Sequence, residues 1–395
     1  MSYRLSEEEL LLQKTARDFA QNELAPLVAQ AEGTGTFPRA DILPRMAELG
    51  LLSIGVPADL GGAGGTSLML CIVAEEIARV CGGFAIGVMA SVLAPAALVQ
   101  MSDRQSVAPA LQPLMQGLTL PAMAFTEPGA GSDLANIRTT VTKTDRGLVL
   151  NGTKTFISNG PTADVYLVAA VRADVADKPR EERSQGIGVH VVLRGTPGVY
   201  DRTSAREARY SSETGELHFE DVLVAGSPAS GGRTSASAAG RGFKGMMALL
   251  DFNRLYIAAL SVGIAQAAFE ACVPYVKQRV AFGKPIGHHQ ATGFKVARMA
   301  MKLDAARALI QRACELFDAG ERCARQVSEA KLFATEAAVE ITGDAVQVHG
   351  GYGYIEELPL ERYFRDAKVG TIWEGTSEIQ QQIICRELGL YSMGN

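Results

Sequence analysis

Glu374 is a candidate to move a proton in this 395-residue chain. It sits in Ile372-Trp373-Glu374-Gly375-Thr376-Ser377-Glu378-Ile379-Gln380, beside the only tryptophan. The glycine marks a turn, and Ser377-x-x-Gln380 reads as a capping box that opens a helix. A carboxylate on such a turn is free to project into a cleft. A helix N-terminus and a nearby arginine favour its anion, whereas burial against an apolar ligand favours the neutral acid. With burial dominant, the group becomes a base tuned toward working pH. Taken without its string, a glutamate on a turn is more simply a solvated loop residue.

A second string, Phe125-Thr126-Glu127-Pro128-Gly129-Ala130-Gly131-Ser132-Asp133, is rich in small residues. Such a turn lets backbone N–H groups approach a phosphate or a ring, and Thr126 and Ser132 add hydroxyl donors. Its Gly-x-Gly pair alone reads as an ordinary turn; the whole string is far more specific. Asp251-Phe252-Asn253-Arg254 supplies an arginine that, if buried, needs a carboxylate, and Glu374 or Asp251 would serve. Asn253 is an amide and takes no proton. No Gly-x-Gly-x-x-Gly follows a strand and opens a helix, so any dinucleotide is held without a Rossmann fingerprint.

Together these strings resemble the acyl-CoA dehydrogenase family, over essentially the whole chain. The resemblance implies FAD as cofactor and Glu374 as the base that removes the α-proton of an acyl thioester. It places Met123, Phe125, Thr126, Gly131 and Ser132 around FAD, with Phe156, Ile157 and Ser158 of Thr155-Phe156-Ile157-Ser158-Asn159 beside the flavin ring. The family usually has Trp and Thr where this chain has Phe156 and Ser158; ring and hydroxyl are kept. Arg279, Phe282, His289 and Gln290 resemble the element that crosses to a neighbouring subunit's FAD, although by residue type alone they form a basic turn with an aromatic anchor. Gln347, Gly350 and Gly351 form the matching glycine patch for the pyrophosphate, and Thr376 and Glu378 complete the cofactor set. Ser132, Asp251, Arg254, Gly375 and Arg386 are implied on the substrate side. Some members carry the catalytic glutamate immediately before the arginine; here that position is Asn253, which leaves Glu374.

The implied reaction is α,β-dehydrogenation of acyl-CoA to trans-2-enoyl-CoA, with flavin N5 taking the hydride and an electron-transfer flavoprotein taking the electrons. A homotetramer, or a dimer, is implied. Three alternatives stay open: a dehydrogenase of acyl-carrier-bound thioesters, a flavin monooxygenase or oxidase of the same fold, and a non-catalytic scaffold that inherits the fold. The small residues of Phe84–Val99 imply a roomy acyl cavity.

The elements that must position these groups follow an α, β, α order. Ser6-Glu7-Glu8-Glu9 fits a helix-opening capping box. Helical spacing recurs over Arg39–Leu49 and Thr66–Arg79. Leu148–Lys154 reads as strand, Asn151-Gly152 turn, strand. Val165–Val171, Gly188–Leu193 and Glu216–Val222 are further strands, and Arg172–Gln185 reads as an extended charged loop. Ala225–Arg241 reads as a flexible connector. Long helical patterns cover Phe243–Val280, Gln290–Ala319 and Gln326–His349, with a shorter one over Ser377–Leu388. The expected class is α+β, mainly α: an N-terminal helical domain (1–120), a middle antiparallel β-barrel or sandwich (121–226) and a C-terminal four-helix bundle (227–395).

Composition narrows the function classes. Hydrophobic residues make up 47% and charged ones 21%, with a net charge of −5. The absence of a long basic run argues against nucleic acid, and the low charged fraction favours an oligomer. The six cysteines form no CxxC pair and the five histidines show no metal spacing, so reduced thiols, no metal and a cytoplasmic setting are expected. The uncharged stretch Val80–Ser102 is long enough to span a membrane, but its glycines and Pro95 read better as a buried helix broken near the proline.

Overall fold

Ser6 opens the first helix as its residue type predicts. Its hydroxyl accepts from the Glu9 N–H, and the Glu9 carboxylate accepts from the Ser6 N–H. The computed structural model describes residues 4–101, 111–205, 213–224 and 242–391. The connector expected over Ala225–Arg241 lies outside the described residues.

The helices ahead of the strands are α1 (Glu7–Phe19), α2 (Val28–Thr34), α3 (Arg39–Glu48), α4 (Ser67–Val80) and α5 (Gly82–Met101). Contrary to the expected break, α5 runs unbroken through Pro95. Residues 82 to 98 are buried on every side, and that packing holds the helix together across the bond the proline cannot make.

The middle segment forms a seven-stranded sheet in the order β1-β4-β2-β3-β7-β6, with β5 also on β4. Its strands are β1 (Pro121–Ala124), β2 (Thr140–Thr144), β3 (Gly147–Ser158), β4 (Val165–Arg172), β5 (Ile187–Leu193), β6 (Val199–Ala205) and β7 (Thr214–Leu223). The pairings are antiparallel except those of β4 with β1 and β2. The expected charged loop holds a short helix, α6 (Arg180–Gln185).

Asn151-Gly152 is not a hairpin turn. It is a bulge within the twelve-residue strand β3. Asn151 exchanges two hydrogen bonds with Asp221 on β7, which seals the irregularity. Gly152 is required there, since a Cβ would lie 2.4 Å from Thr139 Oγ1. The bulge matters for the site because Lys154 and Phe156 stay on one continuous strand.

After the sheet come α7 (Gly242–Gln278), a two-stranded hairpin of β8 (Val280–Ala281) and β9 (Lys284–Pro285), then α8 (Gln290–Asp318), α9 (Ala324–His349), α10 (Gly351–Tyr354), α11 (Leu360–Val369) and α12 (Ser377–Glu387). The expected long helices are matched to within a few residues, and α11 is additional. The chain divides into two compact units. One is Met1–Val28, Thr66–Ala85 and Asp251–Asn395; the other is Ala29–Gly65 and Ile86–Leu250.

Candidate active site

Three of the residues singled out from sequence share an uncommon backbone. Phe156, Phe282 and Glu374 have φ of 56°, 51° and 51°, among five non-glycine residues with positive φ in the described chain. An L residue is rarely left-handed, and such strain persists only where the surroundings enforce it.

At Glu374 the enforcing contacts are explicit. The Arg254 Nε–H donates to the Glu374 carbonyl at 3.2 Å. Gln380, fully buried, donates from Nε2 to the same carbonyl at 3.3 Å and to that of Gly375 at 2.8 Å. Lys331, also fully buried, donates from Nζ to the Gly375 carbonyl at 2.6 Å. The helix that follows is capped by Thr376, whose hydroxyl accepts from the Ile379 N–H at 3.3 Å. The expected Ser377-to-Gln380 box is therefore corrected. Thr376 takes the cap one residue earlier, and Gln380 is free to bond the turn.

The carboxyl group itself is treated differently. Arg254, 7% exposed, finds its carboxylate in Asp251 at 2.6 Å rather than in Glu374. Among the described residues the Glu374 carboxylate accepts one hydrogen bond, from Asn253 Nδ2 at 3.3 Å, and no cation lies within ion-pair distance. Burial raises its pKa above the usual carboxylate value. The Asn253 bond and the charges of Arg254 and Lys331 oppose that shift and lose. The Glu374 N–H donates to nothing among the described residues, so one donor on the turn is available to a ligand.

The Phe125–Asp133 string is organised by a buried ion pair. Lys154 Nζ lies 2.8 Å from Glu127 Oε1 and 3.0 Å from the Phe125 carbonyl. Glu127 also accepts from the backbone N–H groups of Arg138 at 2.6 Å and Thr139 at 2.9 Å. The Thr155 N–H donates to the Thr126 carbonyl at 3.0 Å. The loop carrying Thr126 is thus pinned to the strand carrying Phe156 and Ser158. Phe156 is 70% exposed, an unusual setting for a strand aromatic. Ser158 is half-buried, and Gly131 and Ser132 are exposed.

In the other unit, Phe282 sits at the tip of the β8–β9 hairpin, 96% exposed. Its ring packs edge-on against His289, whose Nε2 lies 3.1 Å from the Ala281 carbonyl. Arg279 and Gln290 are exposed. Tyr275 stacks on His349 at 4.1 Å. That contact joins the segment before Arg279 to the one carrying Gln347, Gly350 and Gly351, all three exposed.

Family models cover the chain in three segments. The acyl-CoA dehydrogenase N-terminal domain matches residues 6–117, the middle domain 122–222 and the C-terminal domain 240–389. An acyl-CoA dehydrogenase of Bacillus subtilis is 38% identical over 388 residues, covering 97% of this chain and 98% of its own. The chain belongs to the acyl-CoA dehydrogenase family. A caffeyl-CoA reductase-Etf complex subunit, CarC, of Acetobacterium woodii is 37% identical, covering 96% of this chain and 97% of its own. The solved butyryl-CoA dehydrogenase of Megasphaera elsdenii superposes with a TM-score of 0.89 at 35% identity, over 98% of this chain and 100% of that one. A solved FAD complex of PigA gives 0.91 at 27% identity, over 99% of this chain and 100% of that one.

Acyl-CoA dehydrogenases are FAD-dependent oxidoreductases acting on CH–CH groups. Two residues expected at the cofactor have side chains engaged elsewhere. Phe125 and Ile157 are 7% and 2% exposed and belong to hydrophobic clusters, so a cofactor contact at either runs through backbone. Met123 packs against the same cluster as Phe125. Arg386 is half-exposed beside Glu387 at 3.6 Å, and Glu378 is exposed. Lys154 and Lys331 were not singled out from sequence, and Gln380 entered there only as a cap residue. Lys331 had a legible signal, since it falls on the buried stripe Val327, Ala330, Ala334 and Ala338 of α9.

Proposed function

We propose that this acyl-CoA dehydrogenase family member oxidises an acyl-CoA thioester to the trans-2-enoyl-CoA with Glu374 as the α-proton base. The reading rests on one observation: a carboxyl group on an enforced left-handed turn, unpaired with any cation among the described residues and raised in pKa by burial. A group of that kind takes up a proton more readily than a carboxylate locked in an ion pair. The thioester α-proton also needs its developing enolate stabilised, and the unengaged Glu374 N–H is a suitable donor to the carbonyl oxygen.

The residues present fit FAD. Phe156 and Ser158 would flank the ring, with Thr126, Gly131 and Ser132 donating from the pinned loop. Arg279 would pair with the pyrophosphate, with Phe282, His289 and Gln290 beside it and Gln347, Gly350 and Gly351 allowing close approach. The exposure of Phe282 and Arg279 supports a cofactor held across two copies of the chain, hence a homotetramer or dimer. Bound FAD supplies the hydride-accepting chemistry that no side chain provides. An electron-transfer flavoprotein is the proposed electron acceptor, in line with the Etf complex of the CarC relative. On the substrate side, Arg254, held by Asp251, and Gly375 would border the thioester, with Arg386 along the CoA path.

The test is an anaerobic titration of the yellow holoenzyme with a panel of butyryl-, isovaleryl-, octanoyl- and cyclohexanecarbonyl-CoA. Bleaching by at least one is expected in the wild type, and Glu374→Gln should keep its FAD and fail to bleach. A Glu374→Gln protein that bleaches at the wild-type rate would refute the assignment.

A further inference from the structure

Lys331 has no place in the reaction as derived, yet it reaches the catalytic turn from α9. Its side chain is fully buried, and its Nζ bonds the carbonyl of Gly375, the residue after the base. A buried ammonium without a carboxylate in direct contact is unusual, because desolvation of the charge must be offset locally. The charged groups facing it are Glu374, Arg254, Glu336 and Glu378. Arg254 is already engaged by Asp251.

We propose that Lys331 is a positioning residue for the base. Its ammonium holds the Gly375 carbonyl so that the turn keeps Glu374 left-handed, and its charge favours the proton-accepting anion of Glu374. This inference rests on Glu374 being the base. The physical argument has two parts. A charged donor bonds a carbonyl about twice as strongly as a neutral one, so loss of the Lys331 proton loosens the turn. A cation near a buried carboxylate also lowers the pH at which that carboxylate ionises.

Burial brings the Lys331 ammonium down to about 8, with Glu374 pulling it back up and Arg254 pushing it further down. Its deprotonation therefore falls within the working pH range. Flavin reduction should rise through the ionisation of Glu374 and fall as Lys331 loses its proton.

The experiment measures the rate of anaerobic flavin reduction against pH in the purified holoenzyme, with the panel acyl-CoA that reduces the wild type fastest. Lys331→Met should move the acid limb to higher pH and remove the alkaline limb. Lys331→Arg keeps a cation at every accessible pH. It should restore the acid limb near its wild-type position while still lacking the alkaline limb. A purely structural lysine would instead lower the rate by one factor at all pH. Parallel profiles for wild type and Lys331→Met, or an alkaline limb retained in Lys331→Arg, would overturn the role of Lys331. If Lys331→Met does not fold, the arginine variant decides alone. An inactive Glu374→Gln beside parallel profiles discards Lys331 and keeps the base; an active Glu374→Gln discards both.

Discussion

Glu127 is buried and Glu374 half-buried, and their surroundings drive their carboxyl groups in opposite directions. Burial would raise the Glu127 carboxyl, but the charge and hydrogen bond of Lys154, with Thr139 and the Arg138 N–H, hold it below the usual range. Burial raises Glu374, and an amide with two more distant cations does not reverse it. The lysines tell the same story from the other side. Both Lys154 and Lys331 are brought down to about 8 by burial. One meets its glutamate directly; the other meets a carbonyl one residue away from its glutamate. A carboxylate that holds a loop must stay charged, whereas one that moves a proton must not be claimed by a cation.

The contrast can be broken most severely at Glu374. Glu374→Gln should lower flavin reduction by about 10⁴-fold, the upper end for a general base, and leave the urea unfolding midpoint nearly unchanged. Glu127→Ala should act on stability first. It strands Lys154 in the interior and costs about 3–5 kcal/mol, read as a lowered unfolding midpoint. The double replacement Glu127→Leu with Lys154→Met should recover much of that loss.

The pH dependence sharpens the comparison further. A carboxyl lowered in the folded state contributes stability above its unfolded pKa and loses it as pH falls through the folded value. Unfolding measured in acid should therefore show a Glu127 contribution that vanishes below the ordinary carboxylate range and is missing in Glu127→Gln. Glu374, raised instead, should show its ionisation above that range, as the acid limb of flavin reduction. The smallest expected effect is at Gly375, which has φ of 93° and would place a Cβ 2.6 Å from Gln380 Nε2. Gly375→Ala adds about 1 kcal/mol of backbone strain and displaces Gln380, so flavin reduction should fall about tenfold while FAD is retained.

Much of the architecture was legible because periodicity is a local property. The long helices α7, α8 and α9 and the Ser6 cap appear where spacing and capping chemistry place them. Two misreadings share one cause. Asn151-Gly152 carries a strong turn signal, but pairing of β3 with β7 across the bulge overrides it. Pro95 signals a break, but burial of α5 overrides that as well. Ser377 looks like a cap, and Thr376 beside it serves as well. At Asn151-Gly152 and Pro95 the local preference is about 1–3 kcal/mol, which the contacts made by distant segments exceed; at Ser377 two neighbouring residues offer the same capping chemistry.

The chain's own order of residues determined which groups are available: one glutamate on a glycine turn, a small-residue loop, an exposed-type basic hairpin and the helices between them. Those follow from short-range stereochemistry and apolar spacing. The folded arrangement alone decided the partners of those groups. It joined Lys331 to Gly375 across 44 residues, Arg254 to the Glu374 carbonyl across 120 and Lys154 to Glu127 across 27. Whether a glutamate is an anchor or a base depends on the solvent it loses and the charges it meets. Both are set by residues remote in the chain, so no reading of the local string contains them.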